Sequence, residues 1–229
     1  MQSHKNKTKI ALIGYGKMGK EIDSLCRDSA YSSGFEVVSI SFKKMTDSLD
    51  IKGIAKADVA IDFTSKDVVL KNIEAVAKLG KNLIVGTTGW YDELDAAKKI
   101  TAKYKIGLLY APNFSIGANI FLKMVDFSSK LFSKFPEYEV YGLEIHHKAK
   151  LDSPSGTALK ISEKVKGLNF TSIRAGRNPG FHEVTFDSLA DGITLSHQAY
   201  NRVGFAQGAL VAAEFIKNKK GVYTFDAVL

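Results

Sequence analysis

The sequence predicts an α/β protein: a parallel sheet with helices on both faces, joined to a smaller α+β domain built on an open mixed sheet. Three observations predict it. Up to residue 112, short apolar runs alternate with amphipathic helical stretches, the pattern of successive βαβ units. The runs are mainly apolar, as expected of strands covered on both faces. After Asn113 the pattern changes to one long helix followed by strand-like segments.

Each element has its own local justification. "KIALIGYG" (Lys9–Gly16) is an apolar strand ending in glycines, and a helix follows from Lys17 to about Asp28. "FEVVSISF" (Phe35–Phe42) and "DVAIDFT" (Asp58–Thr64) are the second and third strands. In "DVVLKNIEAVAKLG", Val68, Ile73, Val76 and Leu79 share one helical face, and Gly80 is placed to end the helix. "NLIVGTTG" is a fourth strand entering a polar turn, "YDELDAAKKITAKY" a helix and "IGLLYAPN" a fifth strand. A long helix is predicted over Ile116–Phe132. The segments "EVYGLEIHH", "GFHEVTFDS" and "GITLSHQAYN" read as strands, the last two antiparallel around Ala190-Asp191-Gly192. The alanine-rich helix "GFAQGALVAAEFIKN" and the terminal "GVYTFDAVL" are expected to pack back on the first domain.

Composition narrows the function classes. The 229 residues suit one large domain or two modest ones; they carry a net charge of +8 and are 45% hydrophobic, as in a soluble globular protein. No apolar run reaches the roughly 18 residues of a membrane span, and the polar start "MQSHKNKTK" does not read as a secretory signal. The single cysteine, Cys26, excludes an internal disulfide and a cysteine-based zinc site; it fits a reducing cytoplasm and reads as core packing in the first helix. The densest basic group, Lys217, Lys219 and Lys220, has no interleaved aromatics, so neither nucleic acid nor membrane is an expected partner.

"GYGKMG" (Gly14–Gly19) fits G-x-G-x-x-G between a strand and a helix. The first glycine permits the tight turn, the second lets backbone approach a pyrophosphate, and the third lets helix and strand pack closely. Opening a βαβ series, the motif points to a Rossmann-like, dinucleotide-binding domain over residues 1–112 and 203–229, with residues 113–202 forming the second domain. The second strand ends in Phe42-Lys43-Lys44 with no acid before Asp47, which favours a ribose 2′-phosphate, and so NADPH over NADH.

The stretch "EIHHKAKLDSPSGTA" (Glu144–Ala158) concentrates protonatable groups before a helix start. Asp152 or Ser153 is the expected cap, with Pro154 in the first position. The N–H groups near Ser155, Gly156 and Thr157 are then free to hold an anion. His146, His147, Lys148 and Lys150 supply cationic or proton-donating groups. The combination suits a carboxylate-bearing substrate with one group left to donate a proton. Adjacent histidines on a regular strand point to opposite faces, so His146 and His147 share a pocket only if the strand breaks there. His182 and His197 show no recognised ligand spacing, and no metal is expected.

This stretch closely resembles the signature of the 4-hydroxy-tetrahydrodipicolinate (dihydrodipicolinate) reductase family of lysine and diaminopimelate biosynthesis. The resemblance runs nearly end to end: "GYGKMG", "IDFT", "GTTG", "APNFSIGAN" and "HQAYNRVGFAQGA" also look familial. Ile13 stands where the family pattern has a leading glycine. The resemblance implies a cytoplasmic enzyme that reduces a cyclic dicarboxylate with NADPH or NADH. His146 would be the proton donor and Lys150 a second one, with His147, Ser155, Gly156 and Thr157 on the substrate carboxylates. Gly14, Gly16, Lys17, Met18, Gly19 and Lys43 would hold the cofactor. Gly86, Thr87, Thr88, Ala111, Pro112, Asn113 and Phe114 would lie along its nicotinamide half, with Arg202 and Phe205 near the cleft between domains. It also implies a homotetramer assembled through the second domain.

Overall fold

A computed structural model describes residues 7–28, 34–42 and 47–229. The chain forms two compact units, Met1–Ile116 with Arg202–Leu229 and Gly117–Asn201. The elements run β1 (Thr8–Ile13), α1 (Lys17–Arg27), β2 (Phe35–Ser41), α2 (Ile51–Lys56), β3 (Val59–Asp62), α3 (Lys66–Lys78), β4 (Asn82–Val85), α4 (Leu94–Tyr104) and β5 (Gly107–Tyr110). They continue with α5 (Ile116–Phe132), β6 (Glu139–His146), α6 (Gly156–Lys164), β7 (Phe170–Arg174), β8 (Gly180–Asp187), β9 (Gly192–Ala199), α7 (Val203–Ile216) and β10 (Gly221–Thr224).

The first unit is a six-stranded, all-parallel sheet in the order β10-β5-β4-β3-β1-β2. Successive residues serve opposite faces. Ile10, Leu12, Ile61, Ile84 and Leu109 pack under α1 and α7, against Ile22, Leu25, Cys26, Ala209 and Ile216. Ala11, Ile13, Ala60, Leu83, Val85 and Leu108 pack on the other side against Ile54, Val69, Ile73, Val76 and Ala97. This is why β3 and β4 are buried at every residue and read as unbroken apolar runs. Cys26 lies in the core, as expected, and burial pushes its thiol up to about 11.

Two details differ from the sequence reading. The buried stripe of α3 runs Val69, Ile73, Val76, with Val69 rather than Val68 leading it. The short α2 was not foreseen; Asp50 caps it, accepting from the Gly53 N–H at 3.0 Å and from Ser39 Oγ at 2.8 Å. Gly80 closes α3 in a left-handed conformation, φ +66°, as expected. The returning C-terminal segment is tied down by one buried side chain. Asn82 Nδ2 donates to the carbonyls of Ile216, Lys217 and Lys219 at 2.6–3.0 Å, and its Oδ1 accepts from the Gly107 N–H at 2.7 Å.

The second unit is a four-stranded mixed sheet in the order β7-β6-β8-β9. β8 and β9 are antiparallel around the predicted turn, with Asp187 opposite Gly192. β7, absent from the sequence reading, lies parallel to β6 and places Arg174 beside His146. One sheet face is covered: Val184 and Phe186 pack with Phe121 and Val125 of α5 and Ile161 of α6. Along the same face, toward the end of β6, the residues become polar.

The start of α6 is a correction. The helix begins at Gly156 and its cap is Ser155, not Asp152 or Ser153, and Pro154 lies outside it. Ser155 is extended (ψ 158°), and its Oγ accepts from the Ala158 N–H at 3.2 Å, which fixes the boundary one residue past the proline.

Candidate active site

Each unit carries one group of chemically competent residues. In the first, β1 stops at Ile13 and Gly14 turns the chain with φ +92°, its N–H donating to the Ser41 carbonyl at 3.1 Å. A side chain on Gly14 would strike the Phe63 carbonyl, and one on Gly19 would strike the Gly14 carbonyl. Nothing lies within 4 Å of where a Gly16 side chain would go. The outer glycines therefore serve the fold, while Gly16 keeps a surface open. Beside it is a cavity of about 440 Å³ lined by Gly16, Lys17, Met18, Thr64, Thr87, Thr88 and Arg202 among others. It lies at the carboxyl ends of the strands, where ligands of such sheets bind.

Asp62, at the end of β3, organises the cavity wall from beneath. Its Oδ1 accepts from Thr64 N at 2.9 Å, Thr64 Oγ1 at 2.6 Å and Thr87 Oγ1 at 3.1 Å, and its Oδ2 accepts from Asn72 Nδ2 at 2.8 Å. Complete burial raises its pKa, against the pull of these donors. Of the other expected cofactor residues, Gly86 lines the cavity, and a side chain there would displace the Phe63 ring. Ala111 and Phe114 are core residues and Pro112 is exposed. Asn113 Oδ1 accepts from the Ser115 N–H at 2.8 Å. None of these four is among the residues lining the cavity. Lys43 and Lys44 lie outside the described residues.

In the second unit, strand alternation puts Glu144 and His146 on one face of β6, and the antiparallel register sets His182 opposite Glu144. All three are buried. His146 Nε2 lies 3.4 Å from His182 Nε2, and each is 3.5 Å from Glu144 Oε2. Glu144 Oε1 accepts from Arg174 Nη2 and Ser172 Oγ, both at 2.7 Å, and from the Ser155 N–H at 3.0 Å. Ser155 Oγ lies 3.0 Å from His182 Nε2. The Ser155 N–H, expected to be free for an anion, is therefore already committed to Glu144.

Burial opposes ionisation of Glu144, yet the hydrogen bonds from Ser155, Ser172 and Arg174 outweigh it and hold the carboxyl at about 2. Burial lowers His182 to about 4, with the His146 ring adding to the effect. Burial also lowers His146; Glu144 and a hydrogen bond to the Pro179 backbone work the other way. A side chain on Gly180 would come within 3.1 Å of the His146 ring, so the ring is held closely on that side.

The remaining expected residues follow β6. His147 is half-buried just past the strand end, where the regular alternation stops. Lys150 Nζ pairs with Asp152, 2.7 Å from Oδ1. Gly156 is exposed and Thr157 half-buried at the tip of α6. Sequence reasoning did not find Glu144, Ser172, Arg174 or Asp62 as site residues. For Glu144 a signal existed: an acid two residues before a histidine on a strand shares its face.

The family model for the N-terminus of dihydrodipicolinate reductase matches residues 8–114, and that for its C-terminus matches residues 117–229. The chain belongs to the dihydrodipicolinate reductase family. The reductase is 36% identical to the 4-hydroxy-tetrahydrodipicolinate reductase of Christiangramia forsetii, over 96% of this chain and 97% of that one. It is 33% identical to that of Paraburkholderia phymatum, over 81% of this chain and 78% of the other. The solved dipicolinate-bound dihydrodipicolinate reductase from Paenisporosarcina sp. TG-14 shares the fold, with a TM-score of 0.80 at 24% identity, covering 97% and 100% of the two chains. The reductase is thus an oxidoreductase, and family and fold imply a nicotinamide cofactor. The open Gly16 and the cavity beside it fit such a group. Among the described residues, no helix is long and apolar enough to cross a membrane.

Proposed function

We propose that the chain reduces 4-hydroxy-tetrahydrodipicolinate to tetrahydrodipicolinate in lysine and diaminopimelate biosynthesis, using NADPH in preference to NADH. The overall balance is one hydride and one proton in and one water out. The curated relatives bear this name over nearly the whole chain, and the observation that carries the reading is the buried His146 at the end of β6, beside the tip of α6.

The reduced nicotinamide supplies the hydride when bound. Gly16, Lys17 and Met18 would hold the pyrophosphate, on a turn that Gly14 and Gly19 shape, with the α1 N-terminus facing it. Lys43 favours the 2′-phosphate. Thr87 and Thr88, with Gly86, flank the nicotinamide half together with the backbone of Ala111–Phe114. Asp62 fixes Thr64 and Thr87 so that this wall needs no rearrangement during turnover.

His146 supplies the proton from Nε2. That atom lies 3.4 Å from His182 Nε2 and 3.5 Å from Glu144 Oε2, and it carries the proton once the ring is protonated. A substrate with two carboxylates raises the imidazole pKa on binding, since opposite charge favours the protonated form. Lys150 is the second donor, released from Asp152 as a substrate carboxylate replaces it. His147, Ser155, Gly156 and Thr157 grip the carboxylates. Residues 1–112 and 203–229 act as the cofactor domain, and 113–202 as the substrate and tetramerisation domain. The uncovered face of the second sheet supports the assembly, because it presents exposed Tyr141 and Ile173 with half-buried Leu143, Ile145 and Phe181. The enzyme works in the cytoplasm.

The test follows NADPH and NADH oxidation with freshly made product of the preceding synthase. His146→Ala and Lys150→Ala should cut turnover by roughly 100-fold or more, within the range of general acid catalysis, while NADPH binding is retained. Parental turnover in both variants would refute the proton-donor roles.

A further inference from the structure

We propose that Glu144, His146 and His182 form a three-ligand site for a borderline divalent cation, Zn²⁺ foremost, and that filling it silences the reductase by engaging Nε2 of His146. The three facing atoms are separated by 3.4, 3.5 and 3.5 Å. Zn–N and Zn–O bonds of about 2.0–2.2 Å put adjacent ligands of a tetrahedron about 3.3–3.6 Å apart. The near-equilateral triangle is therefore one face of such a tetrahedron, with a single centre at bonding distance from all three atoms.

The ligand set and its surroundings point the same way. Two imidazoles and a carboxylate make a zinc site that leaves its fourth position to water. Groups behind the ligands orient them, as such sites require. The Pro179 backbone hydrogen-bonds His146. Arg174 and Ser172 bond Glu144 Oε1 at 2.7 Å, whereas Oε2, facing the centre, accepts the longer 3.2 Å bond from the Ser155 N–H. Ser155 Oγ, 3.0 Å from His182 Nε2, bonds the ligating nitrogen itself and must yield it to an incoming ion. The Arg174 charge opposes a dication, so the ion exchanges and regulates rather than resides. No ligand spacing betrays the site, because strand pairing assembles it from residues distant in sequence.

The silencing half of the proposal rests on His146 being the proton donor; the binding half does not. Metal-free enzyme is titrated with Co²⁺ alone and with Zn²⁺ alone. One equivalent of Co²⁺ should give the visible absorption of tetrahedral coordination, displaced by Zn²⁺. Zn²⁺ should lower turnover roughly tenfold or more, reversibly with a chelator. His182→Ala and the better space-filling His182→Gln should each weaken Zn²⁺ binding by roughly tenfold or more, since even outer-shell losses reach that size. His197→Ala should bind as the parent does. Stoichiometric Zn²⁺ with unchanged turnover would overturn the role of His146 and the silencing, and keep the site. A folded, active parent that takes up neither ion would overturn the site and keep that role. Parental affinity in folded His182→Gln would also overturn it.

Discussion

Glu144 and His182 face each other across the β6–β8 pair with 3.5 Å between Oε2 and Nε2, both shut off from solvent. One is held ionised and the other neutral, and both states are lost in acid. The unfolded chain protonates His182 near 6.5, but the folded protein does so only near 4. Protons therefore favour unfolding over that interval, and this contribution to stability is full above pH 6.5 and gone by pH 4. Glu144 adds a second loss between about 4.5 and 2. Each shift corresponds to about 3 kcal/mol. His146 and His197, also lowered, tilt the same way. Urea unfolding of metal-free protein should show stability falling steadily from pH 7 to 4.5, less steeply in His182→Gln. A flat profile in the parent would contradict the arrangement.

Among the described residues, Arg174 is the one formal positive charge bonded to Glu144 by a short contact, 2.7 Å. Arg174→Met leaves a buried carboxylate short of its counter-charge and should cost about 3 kcal/mol or more in stability. The double variant with Glu144→Gln should recover part of that loss. Additive losses measured by chemical denaturation would show that the two side chains do not act as a pair.

The glycine turn separates folding from binding. Gly14→Ala meets both a left-handed φ and the Phe63 carbonyl, and should destabilise the protein by more than about 1 kcal/mol. Gly16→Ala meets open space within the protein; its melting temperature should stay near the parent's while NADPH affinity falls. The reverse ranking would mean that the cavity beside Gly16 is not where the dinucleotide lies.

Asn72→Leu removes the donor to Asp62 Oδ2. The buried oxygen is left unsatisfied, at a cost of about 1–3 kcal/mol. With Thr64 and Thr87 less firmly held, the KM for NADPH should rise. Unchanged stability and KM together would show that the Asp62 network does not shape the cavity.

The parallel sheet was legible because its strands are buried on both sides and its turns carry glycines at obligatory positions. β7 was not: Phe170–Arg174 alternates weakly, and its place beside β6 is set by pairing rather than by local pattern. Missing β7 meant missing Arg174 and Ser172, and with them the partners that make Glu144 tolerable in a buried place. His146 stood out through its chemistry, whereas His182 acquires meaning only from the register opposite Glu144. The start of α6 was misplaced because Asp152, Ser153 and Ser155 all qualify as caps, and the Ser155 hydroxyl bond to Ala158 that decides among them is a property of the folded loop.

The Asn82 latch has a consequence for biosynthesis. One side of the first sheet is covered by α7, and β5 gains its outer neighbour only with β10. As the ribosome delivers the chain, the Gly117–Asn201 unit is complete while the earlier nucleotide fold still lacks its lid and an edge. Nascent protein stalled before Arg202 should therefore expose a sticky, half-built layer, so that chaperone demand persists until α7 and β10 have emerged.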